Sequence, residues 1–448
     1  MLGSSTVFQL LKIFAPLVLL LWSLGYFISY DSTYAEVVRK FKDEKGLFVS
    51  DFLEHEIDGE FDGSGIADLC ASKQWTPGLI LSCDPAPGGV GQVKNAHLNC
   101  IRFAMEMGAE LVMPQIIKRH EKDITVIVPP SGGGPVRGQP IDFFFDSDHL
   151  HQALAQYCPQ MKVYKSMDDL YDVPSVFQKH PIGLEQMHVH LTNGSIIDDM
   201  SHLPQQIKDW INKESPPEKR KYPIRYNLPV TNFAFPTAFD KPAFARNYGR
   251  ILRIRQDARR LAASALYNMQ KKFGLNLDPR NGIKTESFVG VHLRTEKDAD
   301  QLFPDYETQA AYLLDYIASS KARVAFMATG ATEEHVKAFS ARARDFNVTV
   351  VLKRDILEGE DLALLDKFGW DQRALIDYEI MLRAGLMAGP SESSFAWNLA
   401  LRRKNAYGAS SEGRLSSHTN AHVQWQDKFS TIFGGSERGL VYSATIWP

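Results

Sequence analysis

The chain has 448 residues, more than one compact core usually holds, and this length predicts two similar domains with additional segments. Hydrophobic residues make up 44% of the chain and charged residues 23%, which is a globular composition rather than a disordered one. A net charge of −3 leaves no basic surplus to neutralise a phosphate backbone, which argues against nucleic-acid binding.

An apolar segment near the amino terminus predicts a membrane anchor. Residues 13–30 are eighteen residues without a charge, long enough to cross a bilayer as a helix. Lys12 before this segment and Asp31 after it favour a cytosolic amino terminus and a luminal bulk, as in a single-pass type II protein. A cleaved signal peptide is the alternative, although no small-x-small cleavage site lies between Ser29 and Glu36.

Residues 31–72 are charge-rich and then rich in Gly and Asp, with no sustained apolar period. This composition predicts a stem that holds a domain away from the membrane. An amphipathic helix from Tyr34 to Phe52, packed on the domain, is the alternative. The globular part is therefore predicted to begin at residue 73.

Residues 73–242 predict a first Rossmann-like domain because they open with a β-loop-α-β unit. A strand at 78–83 precedes a glycine-rich turn at 87–91, a helix at 92–107 and a strand at 110–114. A glycine turn lets a backbone approach a ligand closely, although most such glycines only close a turn.

Asp146 and Asp148 form an Asp-x-Asp pair after an apolar run. Such a pair can hold a divalent cation on a diphosphate. Asp-Ser-Asp is also a common helix cap, here before a helical segment at 150–157, and we favour the cap.

Asn193 and Asn347 begin N-glycosylation sequons, which matter only if the chain enters the secretory pathway. Asn193 lies in a turn-like context, whereas Asn347 leads directly into a predicted strand. The cysteines have no C-x-x-C spacing, which argues against zinc, and they allow three disulfide pairings among which the sequence does not choose: Cys70, Cys83, Cys100 and Cys158.

Prolines crowd residues 215–242, and their density predicts an irregular interdomain region. A helix at 244–273 then leads into the second predicted domain, residues 243–448. This domain alternates strands with helices, which predicts a parallel sheet with right-handed crossovers; the strands are at 287–293, 323–328 and 348–352, and the helices at 305–319, 333–345 and 372–387. The predicted fold class is α/β, with two Rossmann-like domains.

The strand at 287–293 ends abruptly in a cluster of charge. His292 and Arg294 would share one face of the strand, and Glu296 and Asp298 follow them. Ligands of open α/β sheets bind beyond the carboxyl ends of strands, and Arg binds phosphate bidentately. The cluster therefore indicates a nucleotide-sugar phosphate site; a solvated charge cluster is the alternative.

Residues 389–395 precede a helical run at 396–403 and supply hydroxyls and free backbone N–H groups at a helix start. Such a start binds phosphate, and the helix dipole adds to the attraction. Ser393 and Ser394 would then hold a diphosphate together with Arg294. An ordinary serine N-cap is the alternative.

The stretch 292–298 resembles the HLRxEKD signature of plant-type protein O-fucosyltransferase-like glycosyltransferases. The resemblance covers roughly residues 83–403, and its specificity lies in the order of four blocks rather than in any one of them. The other three blocks are 88–92 with 108–114, 144–149, and 389–395 with Asp377 twelve residues before its glycine. This chain departs from the family at Gly91, where the family has Asn before the Gln.

The resemblance implies a GT-B architecture, in which the two Rossmann-like domains face a cleft. It implies that Asp377 accepts hydrogen bonds from a guanine and that Arg294 stabilises the leaving diphosphate, with Glu296 or Asp298 as candidate general base. No metal is expected, since Arg294 and a helix terminus would replace the cation. The implied donor-binding residues are Gly89, Gly91, Gln92, His292, Arg294, Asp377, Ser393, Ser394 and Phe395.

The implied function is transfer of fucose from GDP-fucose to a hydroxyl of a protein or glycan, in the Golgi or endoplasmic reticulum. Two alternatives stay open at this point. One is a transferase that uses another donor, such as UDP-rhamnose, for polysaccharide synthesis. The other is a catalytically silent glycan-binding or scaffold protein, because fold alone does not establish function.

Overall fold

The computed structural model describes residues 43–121, 124–127, 138–193, 196–229, 234–299, 301–407, 413–416 and 422–448. The chain divides into two compact units, Met1–Asp51 and Phe52–Pro448, and the second contains all the strands described below. None of the helices in the described ranges is long and apolar enough to cross a membrane. The predicted anchor at 13–30 lies outside these ranges.

A five-stranded parallel sheet forms in the first half of the second unit, in the order β3-β2-β1-β7-β4. Its strands are β1 (Leu79–Cys83), β2 (Glu110–Val112), β3 (Val163–Tyr164), β4 (Lys179–Pro181) and β7 (Ile224–Leu228). A separate hairpin pairs β5 (Leu191–Thr192) with β6 (Ile196–Ile197). The first described helix, α1 (Glu44–Glu54), crosses the boundary between the two units. The helices of this half are α2 (Ser64–Ala71), α3 (Val90–Met107), α4 (Ser147–Tyr157), α5 (Leu203–Glu214) and α6 (Pro242–Asn247).

A seven-stranded sheet forms in the second half, in the order β10-β9-β8-β11-β14-β13-β12. Its first five strands in that order are parallel and the last two pairings are antiparallel. The strands are β8 (Val289–His292), β9 (Val324–Ala328), β10 (Thr349–Val351), β11 (Leu386–Pro390), β12 (Arg414–Leu415), β13 (Val423–Gln426) and β14 (Ser430–Phe433).

The α-helices of this half are α7 (Gln256–Phe273), α8 (Tyr306–Ser319), α9 (Glu333–Arg344), α10 (Lys353–Ile356), α11 (Gly359–Lys367), α12 (Trp370–Leu382), α13 (Ser394–Tyr407) and α14 (Glu437–Thr445). Short 3-10 helices occur along the chain at Ile141–Phe143, Met167–Leu170, Pro174–Phe177, Glu185–Met187, Thr237–Phe239, Tyr248–Ile251 and Lys297–Ala299. Residues of β8 and β9 are buried throughout, because helices cover both faces of a parallel sheet. Leu313 and Ile317 of α8 pack on one of these faces.

The α/β class with parallel sheets is confirmed, and three local predictions are wrong. The proline-rich region 215–242 is not only a linker, because it contains β7, whose neighbours β1 and β4 pair with it on both sides. Pro223 and Pro229 flank this strand rather than interrupt it. The helix predicted at 372–387 ends at Leu382, and the residues after it form β11. The helix predicted at 244–273 is broken, and α7 begins at Gln256.

Asp146 serves as the helix cap that the sequence favours, since its carboxylate accepts a hydrogen bond from the backbone N–H of His149 at 3.0 Å. Its other oxygen pairs with Arg253. All four cysteines are paired, as Cys70–Cys158 and Cys83–Cys100.

The predicted stem is wrong for residues 52–72, which belong to the second compact unit. Phe52 is fully buried, and Glu56 pairs with Arg259 at 2.6 Å and with Arg402 at 2.9 Å. Asp58 also pairs with Arg402, at 2.9 Å. The acidic residues that suggested a solvated stem are instead counter-ions for arginines of the fold.

We expect Glu56→Gln to lower the free energy of unfolding at pH 7 by about 3 kcal/mol. Burial would raise the pKa of Glu56, but Arg259, Arg402 and Arg383 outweigh it and lower this pKa from 4.5 to about 2. A depressed pKa stabilises the fold above the unfolded value and loses that effect as the pH falls through the folded value. The difference from wild type should therefore shrink between pH 4.5 and about pH 2.

Denaturant unfolding at several pH values measures this difference. Glu60→Gln is the matched control, because Glu60 is exposed and only its backbone carbonyl binds Arg250. A difference that does not change with pH would contradict the assignment of the effect to the Glu56 carboxylate.

Candidate active site

Three adjacent parallel strands, β9, β8 and β11, end at the same edge of the second sheet. A cavity of about 760 Å³ lies beyond this edge, and the glycine turn after β1 forms part of its wall. Every residue that the sequence singles out for donor binding or catalysis lines it: Gly89, Gly91, Gln92, His292, Arg294, Glu296, Asp377, Ser393, Ser394 and Phe395. Side chains that are far apart in the sequence therefore meet in one place.

Arg294 is held between two carboxylates. Its two terminal nitrogens donate to Glu296 and Asp298, and the Gln309 amide binds both the backbone N–H and the carbonyl of Arg294, at 3.0 and 2.7 Å. Burial alone would lower the pKa of Arg294, but Glu296 and Asp298 raise it above its usual value. Arg294 is therefore a fixed cation on the cavity wall.

Both oxygens of Glu296 are in use. One binds Arg294, and the other accepts a hydrogen bond from the backbone N–H of Gly330 at 2.7 Å. Asp298 is likewise shared, between Arg294 and Arg119. These contacts favour an orienting role for both carboxylates over the general-base role that the sequence suggests.

Arg119 is a cavity residue that the sequence does not reveal. It donates to Asp371 through its guanidinium at 2.7 and 2.9 Å and through its backbone N–H at 3.0 Å. It also pairs with Asp298 at 3.2 Å and lies over the ring of Trp370 at 5.1 Å. Its only sequence signal is a cation soon after a predicted strand, and its partners follow about 180 and 250 residues later.

Asp377 combines a paired and an unpaired oxygen. Lys353, which the sequence also does not reveal, binds Oδ2 at 2.6 Å. The other oxygen, Oδ1, is buried without a hydrogen-bond partner among the described residues. Burial raises the pKa of Asp377 to about 6, although Lys353 opposes the shift. This side chain can accept hydrogen bonds from N–H groups of a ligand in the cavity.

His292 is neutral and has a defined tautomer. A carbonyl can only accept, so Nδ1 donates to the Ala328 carbonyl at 3.0 Å, and Nε2 carries no proton. Within the part of the chain that the structure describes, Nε2 has no partner. Burial lowers the pKa of His292 to about 4, and its ring contacts Phe395 with centroids 4.8 Å apart. His292 thus offers an acceptor rather than a positive charge.

The start of α13 lies against the start of α3, which begins at Val90 and so contains Gly91, a residue that the sequence places in the preceding turn. Ser393 caps α13, since its hydroxyl accepts from the backbone N–H of Ala396 at 3.2 Å. A Cβ on Gly91 would lie 2.6 Å from the backbone nitrogen of Phe395 and from the carbonyl carbon of Ser394. The serine cap and the phosphate-receptor interpretation are therefore compatible, because the helix start also opens onto the cavity.

Both predicted glycosylation asparagines are exposed, including Asn347, which the sequence suggested was less accessible. Asn193 and Asn347 both adopt a positive φ, of 51° and 61°. Glycosylation at these positions stays a prediction.

A family model described as GDP-fucose protein O-fucosyltransferase matches residues 79–405, from the first residue of β1 to within α13. The chain belongs to this family. The resemblance seen in the ordered blocks is thereby confirmed, and the chain is a glycosyltransferase. No curated protein matches the chain in a sequence comparison.

Solved structures of fucosyltransferases are similar to this chain at a distance. POFUT1 in complex with GDP-fucose is 14% identical over 81% of this chain and 100% of its own, with a TM-score of 0.44. The fucosyltransferase NodZ from Bradyrhizobium is 13% identical over 74% of this chain and 92% of its own, with a TM-score of 0.37. Because these identities and TM-scores are low, the assignment of the chain to its family rests on the family model alone.

We expect Gly91→Ala to lower the free energy of unfolding by about 1–3 kcal/mol, because the added methyl would collide with backbone atoms of Ser394 and Phe395. Gly89→Ala is the matched control, two residues away. Its Cβ would meet only a side-chain nitrogen of Arg119 at 3.6 Å, an ordinary contact, and its φ of −81° suits any residue. Denaturant unfolding compares the two variants, and equal losses would contradict the close approach at Gly91.

Proposed function

We propose that this chain transfers fucose from GDP-fucose to a hydroxyl of a protein or glycan acceptor, without a metal ion. The observation that carries the proposal is the convergence of Arg294, the start of α13 and Asp377 on one cavity. We further propose a GT-B arrangement, with residues 73–242 as the acceptor-side half and residues 243–448 as the nucleotide-sugar half. The two parallel sheets on either side of residue 242 support this division.

The donor would lie across the strand ends of the second sheet. Its guanine would place N1–H and N2–H against the unpaired Oδ1 of Asp377, which otherwise stays buried without a partner in the described ranges. Its diphosphate would lie between Arg294 and the N-terminus of α13, with the hydroxyls of Ser393 and Ser394 beside it.

Catalysis would be mainly electrostatic. As the bond between the sugar and the diphosphate breaks, negative charge grows on the leaving group, and fixed donors aimed at that charge lower the barrier. Glu296 and Asp298 hold the Arg294 guanidinium in place and leave its other N–H groups for phosphate oxygens. A fixed guanidinium and a helix terminus together supply the positive field that a divalent cation supplies elsewhere, which supports metal independence.

We expect GDP and GDP-fucose to raise the thermal unfolding midpoint of the luminal part of the chain, with or without EDTA, and UDP and UDP-rhamnose to leave it unchanged. A ligand present at 100 times its Kd stabilises a protein by about 2.7 kcal/mol. Stabilisation by UDP-rhamnose alone would favour a different donor, and stabilisation by none of the four would favour a silent scaffold. Loss of stabilisation in EDTA would contradict metal independence.

Arg294→Lys tests the phosphate contact in the same thermal assay. It keeps a cation beside Glu296 and Asp298, so the unfolding midpoint without ligand should change little. It loses the two-pronged geometry that phosphate oxygens need, so GDP should stabilise it less than it stabilises wild type. Arg294→Ala should lower turnover of the donor by about two to three orders of magnitude, and lysine should restore little of it. Normal turnover in Arg294→Ala would contradict the proposed placement of the diphosphate.

We also propose that residues 13–30 anchor the protein as a type II membrane protein of the Golgi or endoplasmic reticulum. The uncharged length of this segment and the charges around it support the anchor. Two disulfides support an oxidising compartment, because disulfides rarely persist in the cytosol.

Mass analysis of the amino terminus of the protein purified from membranes should find residues 13–30 still attached. A mature chain that starts between Ser29 and Glu36 would instead establish a cleaved signal peptide.

A further inference from the structure

We propose that Glu392 is the general base that takes the proton from the attacking hydroxyl. This inference rests on the proposed function, because it assigns a role within that reaction. Glu392 lies immediately before Ser393, at the turn that connects β11 to α13, and it lines the cavity.

Most carboxylates on the cavity wall other than Glu392 are bound to cations. Six carboxylate residues of the described ranges line the cavity in all: Asp84, Glu296, Asp298, Asp371, Asp377 and Glu392. Arg294 holds two of them, Arg119 holds Asp371, and Lys353 holds Asp377. An oxygen that already binds a fixed cation is not free to accept a hydrogen bond from a substrate hydroxyl in the same direction.

Asp84 is the remaining rival. It accepts a hydrogen bond from the Asn227 amide at 3.0 Å, and the Lys179 ammonium lies 3.7 Å from the same oxygen. Its side chain is 33% exposed, so water solvates it as well. The Asp84 carboxylate therefore already has partners, and Asp84 follows β1, whereas Glu392 adjoins the proposed diphosphate site.

Two of these carboxylates, Asp377 and Glu392, have a buried oxygen without a hydrogen-bond partner among the described residues, and the proposed function gives that of Asp377 to the guanine. The Oε2 of Glu392 is shielded from solvent and lacks a hydrogen-bond partner within the described part of the chain. Burial raises the pKa of Glu392 above its usual value, although its own backbone N–H, the Ser391 side chain and the charge of Arg438 oppose the shift. A buried acceptor without a partner costs free energy, which a substrate hydroxyl could recover by donating to it. A raised pKa also makes the carboxylate a better proton acceptor near neutral pH.

The backbone around Glu392 is fixed on both sides. The N–H of Ser391 binds the Phe433 carbonyl at 2.7 Å, and the N–H of Ser393 binds the Pro390 carbonyl at 3.1 Å. Arg438 and Tyr442 of α14 line the cavity as well, and Arg438 acts on the charge of Glu392. The backbone of Glu392 is therefore held in place beside Ser393, on the cavity wall that α14 helps to form.

In the proposed step, an oxygen of the attacking hydroxyl forms a bond to the anomeric carbon of the sugar. The bond from that carbon to the diphosphate breaks, and its electron pair leaves with the diphosphate. The hydroxyl proton passes to Oε2 of Glu392, which later releases it to solvent. Water can replace the acceptor, and the product is then free fucose and GDP.

Hydrolysis of GDP-fucose with water as the only acceptor tests this role, measured as release of GDP. Glu392→Gln should lower turnover by about two orders of magnitude or more, because an amide cannot take the proton. Its stabilisation by GDP should match that of wild type. Glu437→Gln is the control, since Glu437 is exposed on α14 and does not line the cavity. It should hydrolyse like wild type.

The pH profile separates a base from a structural residue. Wild-type turnover should fall as the pH drops through the raised pKa of Glu392, because protonation removes the base. Glu392→Asp should keep this acidic limb at a reduced rate, and Glu392→Gln should lose it. Normal hydrolysis by Glu392→Gln would overturn the inference, as would loss of GDP binding in that variant, which would mark a structural role.

The same measurements distinguish failure of the proposed function from failure of the inference about Glu392. A wild-type protein that neither binds GDP nor releases it from GDP-fucose would contradict that function, and the inference with it. A wild type that binds GDP but does not hydrolyse GDP-fucose would overturn only the inference, because a base beside the reacting carbon would also activate water.

Discussion

Buried charge that must be paired is the constraint on which this site depends. Asp371 and Asp298 both bind Arg119, and Asp298 in turn binds Arg294, so one chain of ion pairs joins the loop after β2 to the end of β8. Asp371 is 3% exposed and would be costly to leave unpaired. The same contacts that satisfy these charges fix the guanidinium of Arg294 on the cavity wall. The position of Arg294 on which the proposed phosphate contact depends is thus a consequence of how the fold pairs its own charges.

The local sequence pattern is sufficient to predict a strand or helix where the segment's own residues determine its structure. The run that ends at His292 and the helix start at Ser394 were both predictable, because an apolar strand and a capped helix are encoded within a few residues. The residues that the ordered blocks single out line one cavity, and their role in donor binding stays a prediction. Arg119 and Lys353 could not be found this way, since each is defined by a partner on another element, Asp371 or Asp377.

Three of the wrong predictions share a cause. β7 was obscured by flanking prolines, and β11 by the helix-forming residues Leu386 and Met387, yet both are central strands whose neighbours lie far away in sequence. The acidic residues near Glu56 predict a solvated stem when only composition is considered. Their ion-pair partners, Arg259 and Arg402, lie far away in sequence, so composition does not show the pairing. Contacts with residues far away in sequence determine the structure of such segments, and local composition carries no information about those contacts.

Gly91, where this chain departs from its family's Asn, shows how packing constrains the chemistry. The backbone of Ser394 and Phe395 occupies the space that a side chain at position 91 would need. Position 91, in the first turn of α3, can therefore offer a ligand only backbone groups, and its glycine lets the start of α13 lie close to α3. Whatever takes the acceptor's proton must come from elsewhere on the wall. Glu392 lies two residues before Ser394, at the turn before α13, and its Oε2 has no hydrogen-bond partner among the described residues.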